Sequence, residues 1–389
     1  MKVIRLALHL IWKRKYTYAL LAFQMIISII IFVSLVGKVQ HIAHSQTVAN
    51  IFNSENAFYF TPYTYYDTNS FHLKELLPDE SSYEIGRVSN LTLKNNSGEN
   101  VFAYGYNDTI IRYTNVNLKD GTWFNSDTDY EHIPIISIGS KYSVDDVVTL
   151  RDYENEKEMT FKVIATIRET EYITTFMSGG SKNNASLENI VSIANADFIV
   201  PFECSKVNSI GENDVSSYNY NYGSIIIMKN SENAAVYELL DQYGEVSDIN
   251  SMITNFKDET RDYFLSNGIV LLVFTLLGLS GIGGINSMLN VANRKRYTIY
   301  FMYGMTQRKC AIIEAIRSGL VIIVSFVASV VLIFYTDIGN LFPPTEYAIN
   351  VMTFIYVLLY MAGIYLVTSL YFVINLSKQN LMDVYKQKA

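Results

Sequence analysis

Histidine-based metal or acid–base chemistry in this chain would draw on His9, His41, His44, His72 and His132, and no two of them stand in an H-E-x-x-H motif. His41 and His44 are spaced to share a helical face. Two nitrogens without a third ligand do not make a zinc site, so both are expected to be solvated side chains. Asn125-Ser-Asp-Thr-Asp-Tyr-Glu131 begins like a calcium loop but lacks the glycine that turns one, and reads as a solvated turn. Gly278, Gly281, Gly283 and Gly284 are spelled like a nucleotide-binding loop. They lie inside a long apolar run, where small residues permit close helix contact or a bend. The sequence contains no G-x-x-x-x-G-K-[ST] phosphate loop, so it does not bind ATP by that route. No Ser-His-Asp arrangement stands out. The expectation is a chain that is not an enzyme, with no catalytic, cofactor-binding or metal-binding residues of its own.

The elements that dominate the chain are apolar. Half of the 389 residues are hydrophobic, 17% are charged and the net charge is −7, which argues against disorder and against a nucleic-acid binder. Four stretches can cross a hydrocarbon core, which needs about 20 apolar residues in a helix. They are expected at 16–37, 264–291, 316–336 and 348–376. The first has no charge from Tyr16 to Gly37 and then runs into Lys38, so a cleaved signal peptide, with its shorter core, is disfavoured. Residues 1–15 form a basic amphipathic segment suited to the cytoplasmic interface, or else extend the first span. No span carries an ionisable residue near its centre, which weakens secondary transport.

Charge sets the orientation. The N-terminal flank, the connection 292–315 with the start of the third span, and the tail 377–389 together hold 14 Lys and Arg against Glu314 and Asp383. Segment 38–263 holds 16 basic residues against 33 acidic ones, and the outside loop 337–347 adds Asp337 and Glu346. Cationic flanks remain in the cytoplasm, so both termini are expected inside and 38–263 outside. Cys204 and Cys310 then lie on opposite sides and cannot pair. The sequons at Asn90, Asn95, Asn107 and Asn184 would matter only in a eukaryotic secretory pathway.

The outside domain reads as α+β. Strand patterns occur at Ala57–Thr61, Gly86–Leu93, Val101–Tyr106, Ile133–Ile138, Val147–Leu150, Met159–Ile167, Phe198–Pro201 and Ser224–Met228, with one helix at Ser231–Tyr243. At its ends the spacing becomes helical. Ile249, Met252, Ile253, Phe256, Tyr263 and Phe264 lead into the second span, and Val39, Ile42 and Ala43 continue the first more weakly. This is the pattern of a stalk. The fold class expected is an α-helical membrane domain of four transmembrane helices plus an α+β extracytoplasmic domain on a helical stalk.

That order of parts resembles the MacB/FtsX-like permeases of bacterial ABC transporters. Gly121-Thr-Trp-Phe-Asn-Ser-Asp127 followed by Pro134-Ile-Ile-Ser-Ile-Gly-Ser140 is similar to the family's glycine, aromatic pair and strand leading to Gly-Ser. Asp146–Leu150 with Phe161–Ala165 resembles its paired strands, and Phe198–Pro201 and Ser224–Met228 its later ones. Arg294–Lys309 looks like its basic cluster, short helix, glycine and second basic cluster. The chain departs from the family in having Arg296 where an acid is frequent, and Phe301 where an Arg is.

The resemblance implies a permease subunit that transmits the motion of a separate cytoplasmic ATPase to the outside domain, for export of, or immunity to, a peptide such as an antimicrobial peptide. The partners implied are that ATPase, which would carry the ATP and magnesium, and a second permease subunit, identical or related. The setting is the bacterial plasma membrane. The coupling residues are Arg296, Tyr297, Tyr300, Phe301, Tyr303, Gly304, Met305, Gln307 and Arg308. Gly304 would end a helix whose Met and aromatic side chains fit a groove on the ATPase. A basic membrane-anchoring turn is the simpler reading of the same residues. An FtsX-like regulator of an extracellular cell-wall hydrolase, exporting nothing, is the alternative function.

Overall fold

A computed structural model describes residues 2–53, 56–63, 82–114, 116–125, 130–154, 156–169, 171–176, 187–204, 207–208, 210–211, 215, 218–229, 233–302, 306–335 and 351–377. The helices are α1 (Lys2–Lys13), α2 (Lys15–Asn53), α3 (Asp108–Tyr113), α4 (Asn233–Asp241), α5 (Ile249–Met302), α6 (Gln307–Tyr335) and α7 (Val351–Ser377). The chain divides into two compact units, Met1–Gln40 with Arg261–Ala389, and His41–Thr260.

Among the described residues, four helices are long and apolar enough to cross a membrane, over Lys15–Asn50, Ile249–Gly281, Ala315–Ile333 and Val351–Leu370. α2 contributes a stripe of side chains to the packing. Tyr18, Leu21, Met25 and Ile29 recur at helical spacing and are buried against Val321 and Ile322 of α6 and Val357, Met361 and Ile364 of α7. α1 is a separate helix, divided from α2 at Arg14, where the Arg14 amide donates to the Ile11 carbonyl (3.0 Å). Ala7 is fully buried, whereas Trp12 and Tyr16 are largely exposed with Lys15 lying 5.9 and 5.3 Å from their rings. Such a Trp, Tyr and Lys grouping suits a membrane–water boundary.

The second unit is a mixed sheet. Its strands are β1 (Ala57–Pro62), β2 (Tyr83–Lys94), β3 (Asn100–Tyr106), β4 (Asp120–Gly121), β5 (Ile133–Ile138), β6 (Val147–Asp152), β7 (Glu158–Ile167), β8 (Tyr172–Thr174), β9 (Val191–Ile193), β10 (Phe198–Pro201), β11 (Tyr218–Met228) and β12 (Gly244–Asp248). The main order is β12-β1-β11-β2-β3-β10-β5-β7-β4, with β6 pairing β2 and β7, while β8 and β9 form a small sheet of their own. β10 runs parallel to β3 and antiparallel to β5, and all four of its residues are buried. That is why Phe198–Pro201 reads as an unbroken apolar run rather than an alternating one. Leu91, Val101, Ile135, Phe161, Val163 and Phe198 form one core, and Phe60, Tyr83, Ile85, Ile226, Leu240 and Val246 a second beneath α4.

The eight strand patterns in the sequence all correspond to strands, and the helix expected at Ser231–Tyr243 is α4. The additions are α3, β4, β8, β9 and β12. β12 is polar in sequence, and pairs antiparallel with β1 because Gly244 lets its backbone lie against Phe60 and the Thr61 carbonyl. The expectation of solvated histidines fails at His41, which is 2% exposed. Helix continuation beyond Gly37 turns that face of α2 inward.

Buried tyrosines give this unit an alkaline limit. Burial pushes the Tyr59 hydroxyl up from 10.0 to about 12, and raises Tyr106 well above its usual value. The folded state therefore holds these protons more tightly than the unfolded chain. Stability is fully present below pH 10 and is lost as pH rises through the folded value, by roughly 2–3 kcal/mol for Tyr59 alone. Thermal melts should be flat with pH until about pH 10 and then decline, and Tyr59→Phe should blunt the decline.

Candidate functional site

The expected coupling residues fall at the junction of α5 and α6. Arg296, Tyr297, Tyr300 and Phe301 lie on the last turns of α5, which runs without interruption from Ile249 to Met302. The basic cluster therefore does not start a separate short helix. Its helix is continuous with that of the second span. Gln307 and Arg308 open α6, with the Lys309 amide donating to the Thr306 carbonyl (3.0 Å). Tyr303, Gly304 and Met305 lie outside the described residues.

Behind this junction, the helical unit holds polar side chains that apolar periodicity does not reveal. Ser28 of α2, Thr275 of α5 and Tyr360 of α7 meet at one point. The Tyr360 hydroxyl is 2.5 Å from Ser28 Oγ and 2.6 Å from Thr275 Oγ1. Thr275 already donates to the Leu271 carbonyl of its own helix (2.7 Å), so it accepts from Tyr360, which in turn accepts from Ser28. Phe32 stacks on the Tyr360 ring at 4.4 Å and 8°. Three candidate spans are thereby tied by one hydroxyl. Tyr360→Phe keeps the stack and removes the hydroxyl, and should lower resistance to unfolding in detergent by about 0.5–2 kcal/mol, the range for interhelical hydrogen bonds in lipid.

Two of the four span glycines do bring helices together. A Cβ at Gly278 would stand 3.3 Å from Met25 Sδ, and one at Gly281 would stand 2.9 Å from Leu21 Cδ2, whereas Gly284 faces open space. Arg317, counted in the sequence as an inner flank, is 1% exposed and lies 5.6 Å from the Tyr18 ring. Its long stem packs into the bundle, which a charge count cannot show.

In the sheet unit, Ile42, Ser45, Ala49 and Phe52 of α2 are buried, as are Ile249, Met252, Ile253 and Phe256 of α5. Between them His41 Nδ1 is 2.9 Å from the Tyr172 hydroxyl on β8, and its ring stands 6.0 Å from Phe256. The Tyr172 ring lies against His41 at 5.4 Å and stacks on His44 at 5.3 Å and 7°. His41 thus serves packing, while His44 stacks on the ring from an exposed position, as a solvated side chain can. Among the described residues no group of three or more His, Cys, Asp or Glu is placed to hold a metal.

The glycine and aromatic pair of the Gly121 motif also acquire a place. Gly121 takes a left-handed φ of 89° in β4, Trp123 Nε1 donates to the Ile111 carbonyl of α3 (2.9 Å), and the Trp123 and Phe124 rings meet edge to face at 5.2 Å. Gly139, at the end of β5, has a φ of 90°.

No family model matches the chain, and no curated protein sequence matches it. Among solved structures, it is similar to the extracellular domain of the noncanonic ABC-type transporter YknZ from Gram-positive bacteria, with 11% identity and a TM-score of 0.27 over 49% of this chain and 98% of that one. It is also similar to a domain of a Porphyromonas gingivalis protein described as a permease, with 8% identity and a TM-score of 0.26 over 50% of this chain and 89% of that one.

Proposed function

We propose that this chain is the permease subunit of a MacB/FtsX-like ABC transporter in the bacterial plasma membrane. Work done by a separate ATPase at 296–308 would pass along α5 to an outside domain that handles a peptide. The observation that carries this reading is the unbroken α5. One helix holds the basic connection at one end, a candidate span in the middle, and the core residues Ile249, Met252, Ile253 and Phe256 of the sheet unit at the other. A continuous helix is a stiff transmitter, at about 1.5 Å per residue. The charge division between acidic 38–263 and the basic flanks supports the orientation. The span on α5 is only 6% buried within this chain, against 44% for that on α2, which leaves an apolar face for a second permease subunit or lipid.

Affinity purification of the full chain from its own membranes tests the reading. An ABC ATPase should be retained at near-stoichiometric level by the parent protein and lost with Tyr303→Asp or Gly304→Pro, while membrane content stays unchanged. Absence of any ATPase from the parent preparation, or its retention by both variants, would show the coupling assignment to be wrong.

A further inference from the structure

Away from the coupling residues, the elbow between α1 and α2 carries three successive cations, Lys13, Arg14 and Lys15. The first acidic residue of the sequence is Glu55, so no carboxylate stands near them along the chain. Lys13 and Lys15 are exposed and Arg14 is half-buried. Among the described residues no acid forms an ion pair with any of the three. Like charges side by side repel, so such a cluster is stabilised by an anion brought to it from outside.

The elbow is fixed from behind. Ala7 of α1 is fully buried, and Ile11 packs against the core that Tyr18, Leu21 and Met25 build with α6 and α7. Half a turn round α2 from that buried stripe, Tyr16, Leu20 and Phe23 follow one another at helical steps and are largely exposed. Lys15 links this face to Trp12, which is also largely exposed, because its Nζ lies 5.9 Å from the Trp12 ring and 5.3 Å from the Tyr16 ring. Ring contacts steady the ammonium without using its N–H donors in hydrogen bonds, and the indole N–H and phenol O–H add two more donors beside it. Cations and donors at 12–16 are thus followed by bare apolar side chains at Leu20 and Phe23. Headgroup and acyl chain come in the same order along a phospholipid.

We propose that this elbow holds an anionic phospholipid, its phosphate among Lys13, Lys15, Trp12 and Tyr16 and its acyl chains along Leu20 and Phe23. Basic residues at the foot of a membrane helix attract anionic headgroups in this way. A second copy of the chain would suit the apolar part of the face but not its end. A two-fold contact would set one Lys13–Lys15 cluster against another without a carboxylate between them. The proposal requires the apolar helices to lie in a bilayer, and it is independent of ATPase coupling and of any transported peptide.

The test uses the full chain in nanodiscs of phosphatidylcholine and phosphatidylglycerol in equal parts, with brominated acyl chains on one lipid or the other. Bromine quenches tryptophan at short range, and Phe23→Trp sets a reporter beside the expected chains, with the parent protein giving the signal of Trp12 and Trp123 to be subtracted. Brominated phosphatidylglycerol should quench the reporter more strongly than brominated phosphatidylcholine. In the same background, Lys13→Gln with Lys15→Gln should lower the relative affinity for phosphatidylglycerol by about fivefold or more, the contribution of at least one cation, whereas Lys13→Arg with Lys15→Arg should preserve it. Soluble phosphate cannot produce this signal, since the bromine is carried on the chains. Equal quenching by the two lipids, quenching by neither because protein covers the face, or an undiminished preference in the double Gln protein would overturn the assignment.

Discussion

Gly121→Val is expected to cost the sheet unit about 3–5 kcal/mol, a loss at the upper end of what single substitutions do. Two independent penalties coincide there. A φ of 89° is open to glycine but is a genuine outlier for a β-branched residue. The space is closed as well, since an added Cβ would collide with the Ile164 carbonyl oxygen and stand 2.6 Å from Ala165 Cα, both of them backbone in β7. Backbone cannot swing aside as a side chain can, so the pairing of Gly121 with Ala165 and the Thr122 amide bond to Ile164 (3.2 Å) must open. Trp123 would leave the Ile111 carbonyl with them. Gly98 is the control. Its φ is 80° but nothing lies within 4 Å of an added Cβ, so Gly98→Asn, a residue that tolerates left-handed backbone, should be nearly neutral. Thermal unfolding of the two variants beside the parent measures the difference. Similar losses would mean that φ alone, and not the close approach to β7, makes Gly121 necessary.

How far the sequence announces this architecture depends on which physical signal each element carries. Ile133–Ile138, apart from Ser137, and Phe198–Pro201 are apolar because they are interior strands, and their limits can be read to the residue. β12 and β8 are short, and their pairing depends on partners far away in the chain, Phe60 for one and Val191–Ile193 for the other. Local periodicity has nothing to register in such cases. The buried faces of α2 and α5 above Gly37 and below Tyr263 are legible as spacing, although α2 uses Ile42, Ser45, Ala49 and Phe52 in place of the expected Val39 and Ala43. Ser45 and Ala49 carry little hydrophobic signal, so a small-residue contact passes for a weak helix. The side-chain chemistry was the least visible part. His41, Tyr360 and Arg317 look like surface, span and flank in one dimension, Tyr172 belongs to no expected element, and each draws its role from groups more than a hundred residues distant or from burial itself.

Tyr172→Ala should have the second large effect, because Tyr172 joins the β8–β9 sheet to α2 and, through His41, reaches Phe256 of α5. It is 3% exposed, its hydroxyl meets His41, and its ring is held between His41 and His44, while His41 in turn packs on Phe256. Truncation removes the ring from a closed site and should cost about 3–5 kcal/mol, as for other large aromatic deletions. Tyr172→Phe retains the ring and both ring contacts, and gives up only the hydroxyl, so about 1 kcal/mol is expected. The site of the damage is as telling as its size. Amide exchange should rise in Tyr172–Thr174 and Val191–Ile193, and in α2 from Ile42 to Phe52, while β5, β7 and β10 stay protected, because their core is built from other residues. Combining Tyr172→Ala with Phe256→Ala should show a coupling of about 0.5–3 kcal/mol, since the two aromatics reach each other through His41. Strict additivity would mean that the ring cluster is incidental packing. A measured coupling would make it a physical link between α2, α5 and the β8–β9 sheet.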